Sequence, residues 1–340
     1  MCTPLEFAMK RLIFAVSGIF LSSFMTPAQA APSVISVQRE IDQLRTVATT
    51  KFESANETKI KIADLLRASK NLKSGQKAVQ KQVDSSRKVL AKMAIEKYKQ
   101  GGIGEGMALL FSKDPSRYLS DASALDILNR RYGEEVRRFT YSEQKLAGSQ
   151  LVIADKTTQL KAEQTRLNAE VASAQNSLQR AEKILQSLRK SDRILLVKRE
   201  NDSQRKTLKI SIKYAQSYVG DNSRGSIALR FALRQIGDIY VWGGAGPTRW
   251  DCSGLTLRSF QVSGVSLPHS AAVQFGYGKL VSYKSIKPGD LLFYGRPISH
   301  VSIYMGGGKM VQAPRAGKKV EVVPFTLMFG YKPFIGAKRI

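Results

Sequence analysis

The chain has 340 residues, with 54 Lys and Arg against 27 Asp and Glu, for a formal net charge of +27 at pH 7. Two cysteines and two histidines are too few for a disulfide framework or a structural metal cluster. So basic a chain binds beside something acidic, and its compartment decides what that is.

Met9-Lys10-Arg11, the apolar run Leu12 to Phe24 and the small-x-small triplet Ala28-Gln29-Ala30 predict a secretory signal peptide over 1–30, cleaved after Ala30. Met9 is an alternative start. The expected location is the cell wall or periplasmic space, where the polyanions are anionic wall polymers and lipid headgroups, not nucleic acid. Cleavage removes Cys2 and leaves Cys252 as a solitary thiol. An unpaired cysteine in an oxidising compartment points to a reactive group.

Residues 31–190 read as a coiled-coil hairpin with a regulatory or docking role. From Val37 to Gln100 there is no proline, and Ile41, Ala48, Ala55 and Ile62 recur every seven residues. Polar breaks at Lys51, Thr58, Ser69, Gln76 and Ser86 weaken such a seam and help fix its register. Gly101-Gly102 and Gly104 end the helix, and Asp114-Pro115 can open the next. A second seam runs unbroken from Leu125 through Tyr132, Phe139, Leu146, Ile153, Leu160, Leu167, Ala174 and Ala181 to Leu188. Two long helices with a short connector fold back antiparallel. The connector carries Ala108 to Phe111, and Tyr118-Leu119 follow, apolar residues where a rod has no core, which marks a docking surface.

Residues 191–224 lose the repeat and read as a helix fraying into a linker. From 225 to 340 the composition turns to glycine, aromatics and short apolar runs. Helical patterns at Ile227 to Ile236 and Leu255 to Val262 precede strands at Leu291 to Tyr294, His300 to Met305, Met310 to Gln312, Val320 to Val323 and Phe334 to Arg339. Helices followed by consecutive short strands predict an α+β domain, its helices packed on an antiparallel sheet.

Cys252 starts a predicted helix, where free N–H groups and the positive dipole end favour a thiolate and offer oxyanion donors. A base must be one of two histidines. His300 sits on an alternating strand, a firmer mount than the loop holding His269. Gln312, on the next strand, has an amide oxygen that can orient an imidazole.

Tyr240-Val241-Trp242-Gly243-Gly244, Asp251-Cys252-Ser253-Gly254, Leu267-Pro268, Gly289-Asp290-Leu291, His300-Val301-Ser302-Ile303-Tyr304 and Gln312-Ala313-Pro314 resemble, in order, the NlpC/p60 family of bacterial cell-wall cysteine peptidases. The resemblance covers about 225–340. It implies a papain-like fold and a cysteine endopeptidase that needs no cofactor and no metal. The implied substrate is a peptidoglycan stem peptide, cut at the D-γ-glutamyl–diamino acid bond. Position by position, Cys252 is then the nucleophile, His300 the base and Gln312 the third member of the triad, with Tyr240, Asp251 and Ser253 lining the substrate groove. Asp251 reads equally as a helix N-cap. Two departures stand out: Gln312 occupies a position often held by histidine, and His269 one often held by arginine. The rod resembles the coiled-coil halves of secreted division hydrolases, which implies docking to a membrane division ABC transporter and a role in cell separation. An amidase or transpeptidase with the same triad, and a non-catalytic wall-binding division scaffold, are the competing readings.

Overall fold

A computed structural model describes residues 33–99 and 115–340. The expected signal peptide and the apolar connector Ala108 to Phe111 lie outside the described residues. Helix α1 spans Val34–Lys99 and α2 spans Pro115–Ser187, so the proline-led start expected near Asp114 holds. At 1.5 Å per residue α1 is about 100 Å long.

The two helices run antiparallel. Ile41 meets Ala181 near one end, Ala48 and Phe52 meet Ala174, and the Tyr132 hydroxyl reaches the Met93 carbonyl near the other. Of the first seam, Ile41, Ala48 and Ala55 are buried. The polar break at Thr58 has a partner: Ser54 and Thr58 donate to the Glu170 carboxylate at 2.6 and 3.0 Å. Only one alignment of the two helices makes that contact, so a locally weak pair selects a register.

The stretch expected as a helix fraying into a linker is a third helix, α3, Lys190–Gln216, followed by a short non-helical run to Ser223. It lies on the last core strand, where the Ser211 hydroxyl takes the Val322 N–H at 2.9 Å. Of its residues only Leu196 and Ser211 are buried, and Ile194, Leu195, Val197, Ile210 and Ile212 stay exposed, so it carries no heptad.

The C-terminal domain opens with α4, Arg224–Leu233, and two short strands, β1 Ile239–Tyr240 and β2 Arg249–Trp250, paired in parallel. Helix α5, Cys252–Val262, and the short α6, Ala271–Gln274, follow. Then come β3 Lys279–Val281, β4 Leu291–Tyr294, β5 His300–Gly306, β6 Lys309–Gln312, β7 Glu321–Pro324, β8 Met328–Phe329 and β9 Lys332–Arg339. The sheet order is β3-β9-β4-β5-β6-β7, antiparallel throughout, with β8 folded against β9 as a hairpin. Helices α4 and α5 cover one face over a core of Leu229, Trp250, Leu255, Phe260, Leu291, Phe293, Val301 and Val311.

Trp250 carries much of that core. It is fully buried, edge-on to Phe231, and donates its indole N–H to Asp238 at 2.9 Å. Trp250→Ala should lower unfolding stability of the C-terminal domain by about 3–5 kcal/mol, read by denaturant titration.

Candidate active site

Cys252 is the first residue of α5, and the turn before it is built to put it there. Asp251 is extended (φ −99°, ψ 177°) and caps the helix by accepting the Gly254 N–H at 2.7 Å. Its other oxygen accepts the Gly243 N–H at 2.7 Å, where Gly243 holds φ +70°. A Cβ on Gly254 would sit 2.1 Å from the Gly244 carbonyl oxygen, so the helix start can approach this turn only without a side chain. Aspartate and glycines together hold the thiol at the helix mouth.

His300 and Gln312 meet across the sheet. The two are buried on β5 and β6, with His300 Nε2 2.8 Å from Gln312 Oε1. Gln312 in turn donates toward Glu321 Oε1 on β7 at 3.4 Å, which fixes the amide with its oxygen toward the imidazole. Nε2 therefore bears the proton, and the other nitrogen, Nδ1, presents a lone pair with no hydrogen-bond partner among the described residues. Helix α5, which begins at Cys252, packs against β5, which begins at His300, so thiol and imidazole stand on neighbouring elements. Phe329 of the β8–β9 hairpin stacks on the imidazole with ring centroids 4.6 Å apart.

The rod enters this site. Glu53 of α1, 2% exposed, places Oε1 3.3 Å from the Cys252 sulfur and 2.9 Å from the Ser253 hydroxyl. Its Oε2 accepts the N–H of Ala271, the first residue of α6, at 2.9 Å. One turn on, Asn56 Nδ2 donates to Asp251 Oδ2 at 3.2 Å. Phe52 stacks on Trp242 with centroids 4.4 Å apart, and the Trp242 indole donates to the Phe52 carbonyl at 2.9 Å. Beyond the site, Arg45 pairs with Glu200 at 3.1 Å, Asp42 with Arg315, and Gln43 with the Tyr331 hydroxyl at 3.0 Å. These contacts run from Asp42 to Asn56, about 21 Å of helix laid across the domain.

The electrostatics follow from that burial. Desolvation, reinforced by the neighbouring charge of Asp251, pushes the Glu53 carboxyl up to about 7. Burial and then the Glu53 charge push the Cys252 thiol well above its ordinary value. Burial, with the nearby Lys332 ammonium adding to it, pushes the His300 imidazole down to about 3. With α1 in place the pair is a neutral thiol beside a neutral imidazole, which is a poor nucleophile.

Of the predicted residues, His300 and Gln312 are hydrogen-bonded to each other, Cys252 stands on the helix packed against their sheet, and Asp251 and Ser253 flank it in the same turn, with Tyr240 buried nearby. Asp251 does what the N-cap reading asks and also gathers Ser253, Asn56 and His269. His269, the less favoured histidine, sits 2.8 Å from Asp251 Oδ1 and away from the Gln312 contact. Burial alone would lower its imidazole, but the hydrogen bond and charge of Asp251 outweigh that and hold it raised. Sequence reasoning missed Glu53, Asn56, Glu321, Phe329 and Lys332. A signal existed for the first two. Thr49, Phe52, Glu53 and Asn56 are all buried and stand at i, i+3, i+4 and i+7, a second helical stripe beside the heptad seam.

Iodoacetamide tests the occlusion without needing any activity. Cys252 in the native full chain should alkylate about tenfold more slowly than in Glu53→Ala, read by intact mass.

Residues 237–339 match the family model described as the NlpC/P60 family. "Probable endopeptidase p60" of Listeria innocua is 46% identical over 92 residues, covering 26% of this chain and 20% of that one. "Peptidoglycan endopeptidase RipA" of Mycobacterium tuberculosis is 39% identical over 121 residues, covering 32% of this chain and 25% of that one. The chain thus spans a quarter or less of the length of these curated relatives. Among solved structures, the NlpC/p60 domain of peptidoglycan hydrolase SagA is 35% identical, covering 34% of this chain and 98% of that one, with a TM-score of 0.31. The turn bearing Cys252 and the strands bearing His300 and Gln312 all fall inside the matched span, and the C-terminal domain of this chain belongs to the NlpC/P60 family.

Proposed function

We propose that the protein is a secreted peptidoglycan endopeptidase, held latent by its own coiled coil, that cuts the D-γ-glutamyl–diamino acid bond of stem peptides in cell separation. The observation that carries the catalytic half is the hydrogen bond from His300 to Gln312 at 2.8 Å, which leaves Nδ1 unpaired on a strand packed against the helix that starts at Cys252. In this mechanism His300 takes the Cys252 proton and the thiolate attacks the γ-glutamyl carbonyl. The oxyanion forms beside the N–H groups of the first turn of α5. The imidazolium then gives its proton to the leaving amine, and a water deprotonated by His300 hydrolyses the thioester. Gln312, steadied by Glu321, keeps the imidazole in the tautomer this requires.

The observation behind latency is Glu53, whose carboxylate takes hydrogen bonds from Cys252, Ser253 and Ala271 where a substrate would lie. Activation requires α1 to leave. A membrane division ABC transporter that grips the far end of the rod is the partner we assign, on the apolar character of the connector sequence. The charge of +27 holds the protein against anionic wall polymers.

Two measurements test this reading. The full chain carrying Glu53→Ala should release the diamino acid fragment from L-Ala-γ-D-Glu-diaminopimelate, seen by mass spectrometry, and adding Cys252→Ala should abolish release. Intact peptide with a reduced thiol overturns the endopeptidase reading.

The second measurement is pH. Glu53 has a docked value of about 7 against an ordinary carboxylate value near 4.3, so the docked state holds the extra proton. Docking is then strongest below the undocked value and weakens as pH rises through about 7. Between pH 5 and 8 the wild-type chain should gain activity relative to Glu53→Ala measured at the same pH. A constant ratio would remove Glu53 as the titrating latch.

A further inference from the structure

Lys332 is buried at 7% exposure beside the proposed catalytic pair, at the start of β9 where the β8–β9 hairpin closes over His300. Its ammonium donates to the Ser299 carbonyl at 3.0 Å, one residue before the imidazole. Among the described residues that is its one hydrogen bond, and no carboxylate lies within ion-pairing distance of it. A buried ammonium with two protons unspent and no counter-charge is costly, and folding removes such groups unless something pairs with them. Burial lowers it to about 8, with the Cys252 and Glu53 charges holding it up, so it is still mainly charged at neutral pH.

Its place relative to the reaction is set by chemistry. The proton leaving His300 goes to the departing amine, so the leaving residue must lie on the imidazole side of the thiol. Lys332 is on the imidazole side, since it touches the residue preceding His300 and its charge depresses that ring. There is room as well. Cavities of about 660 and 480 Å³ lie along α1 here, and both are lined by Thr46 of α1 and by Tyr331 and Lys332 of the hairpin. Both have α1 as one wall, so its withdrawal would open the Lys332 side of each to an incoming peptide.

Resting on the endopeptidase reading above, we infer that Lys332 is the specificity-determining residue of the leaving-group side and receives a free carboxylate on the side chain of the diamino acid. A diaminopimelate residue carries that carboxylate. A lysine residue, or a diaminopimelate whose side-chain carboxyl is amidated, does not. The chain is thereby tuned to stem peptides with the free acid, through a charge-assisted contact of the kind that dominates carboxylate recognition.

The test compares two peptides that differ only in charge, L-Ala-γ-D-Glu-diaminopimelate and its side-chain amide. The full chain carrying Glu53→Ala is assayed alone and with Lys332→Met or Lys332→Arg. The free acid should be cleaved about tenfold better in kcat/KM, mostly through KM, which corresponds to a charge-assisted hydrogen bond of ordinary strength. Lys332→Met should lose that preference by slowing the acid alone, and Lys332→Arg should keep most of it. Equal treatment of the two peptides by the parent overturns the inference. So does an equal loss on both peptides in Lys332→Met, which is the signature of a structural or general electrostatic role.

Binding separates this inference from the reaction. Calorimetric titration of the Glu53→Ala, Cys252→Ala chain should give about tenfold tighter binding of acid than amide, erased by Lys332→Met. If no variant cleaves either peptide but this difference holds, the endopeptidase reading falls and Lys332 stands as a carboxylate-binding residue. If cleavage proceeds and the difference is missing, the reverse is true.

Discussion

The carboxylate of Glu53 is taken out of water and placed against a thiol, a hydroxyl and a backbone N–H that belong to the C-terminal domain. An acid so placed is stable only while those donors face it. The rest of the arrangement serves that contact. Asp251 and the glycines around it hold α5 so that Cys252 and Ser253 point outward together, and Ser270 caps α6 so that the Ala271 N–H is free to donate. Phe52 on Trp242 and the Asp42, Arg45, Glu200 and Arg315 charges fix where along α1 the domain sits. The seam with α2 then fixes α1 itself, through Ala174, Ala181 and the Glu170 contact. Occlusion of the site and register of the rod are one problem with one solution.

The same burial sets the chemistry to rest. A thiol and an imidazole need a polar surround to exchange a proton into a thiolate–imidazolium pair. With α1 seated, both are dry, and the extra negative charge beside the sulfur opposes ionisation. In the proposed activation, withdrawal of α1 would return water to the pair and take the Glu53 carboxyl away from the sulfur. The His300–Gln312 bond does not depend on α1. The polar row across β5, β6 and β7, from His300 to Gln312 to Glu321, stays intact because it belongs to the sheet and not to the rod. A neutral amide is a modest partner for an imidazolium, and the carboxyl behind it strengthens its dipole at the oxygen end.

Much of the domain was readable from the chain. The five strands expected after Pro288 are β4, β5, β6, β7 and β9, displaced by a few residues at their ends, because alternating apolar residues on a one-sided sheet write their own period. The short strands β1, β2, β3 and β8 were not read. Two or three residues carry no period, and their pairing is decided by the turns that bring them together. The heptad seam predicted α1 and α2 because knobs repeat at a fixed spacing. The 191–224 stretch, read as a helix fraying into a linker, is helix as far as Gln216, and with Ile194, Leu195, Val197, Ile210 and Ile212 exposed it shows no heptad.

By itself the sequence determined that a thiol stands at a helix mouth, that a strand-borne histidine and a strand-borne glutamine are available to it, and that two long helices pair. Local pattern decides those matters: capping, alternation and heptad spacing act between residues near one another in the chain. Only the tertiary structure decided that Glu53 and Asn56 lie against Cys252 and Asp251, some two hundred positions away, and that Lys332 flanks His300. Those residues are polar, so the hydrophobic patterns that reveal a core pass over them. Their burial is stable only through partners brought by another domain, and no local rule names a partner that distant.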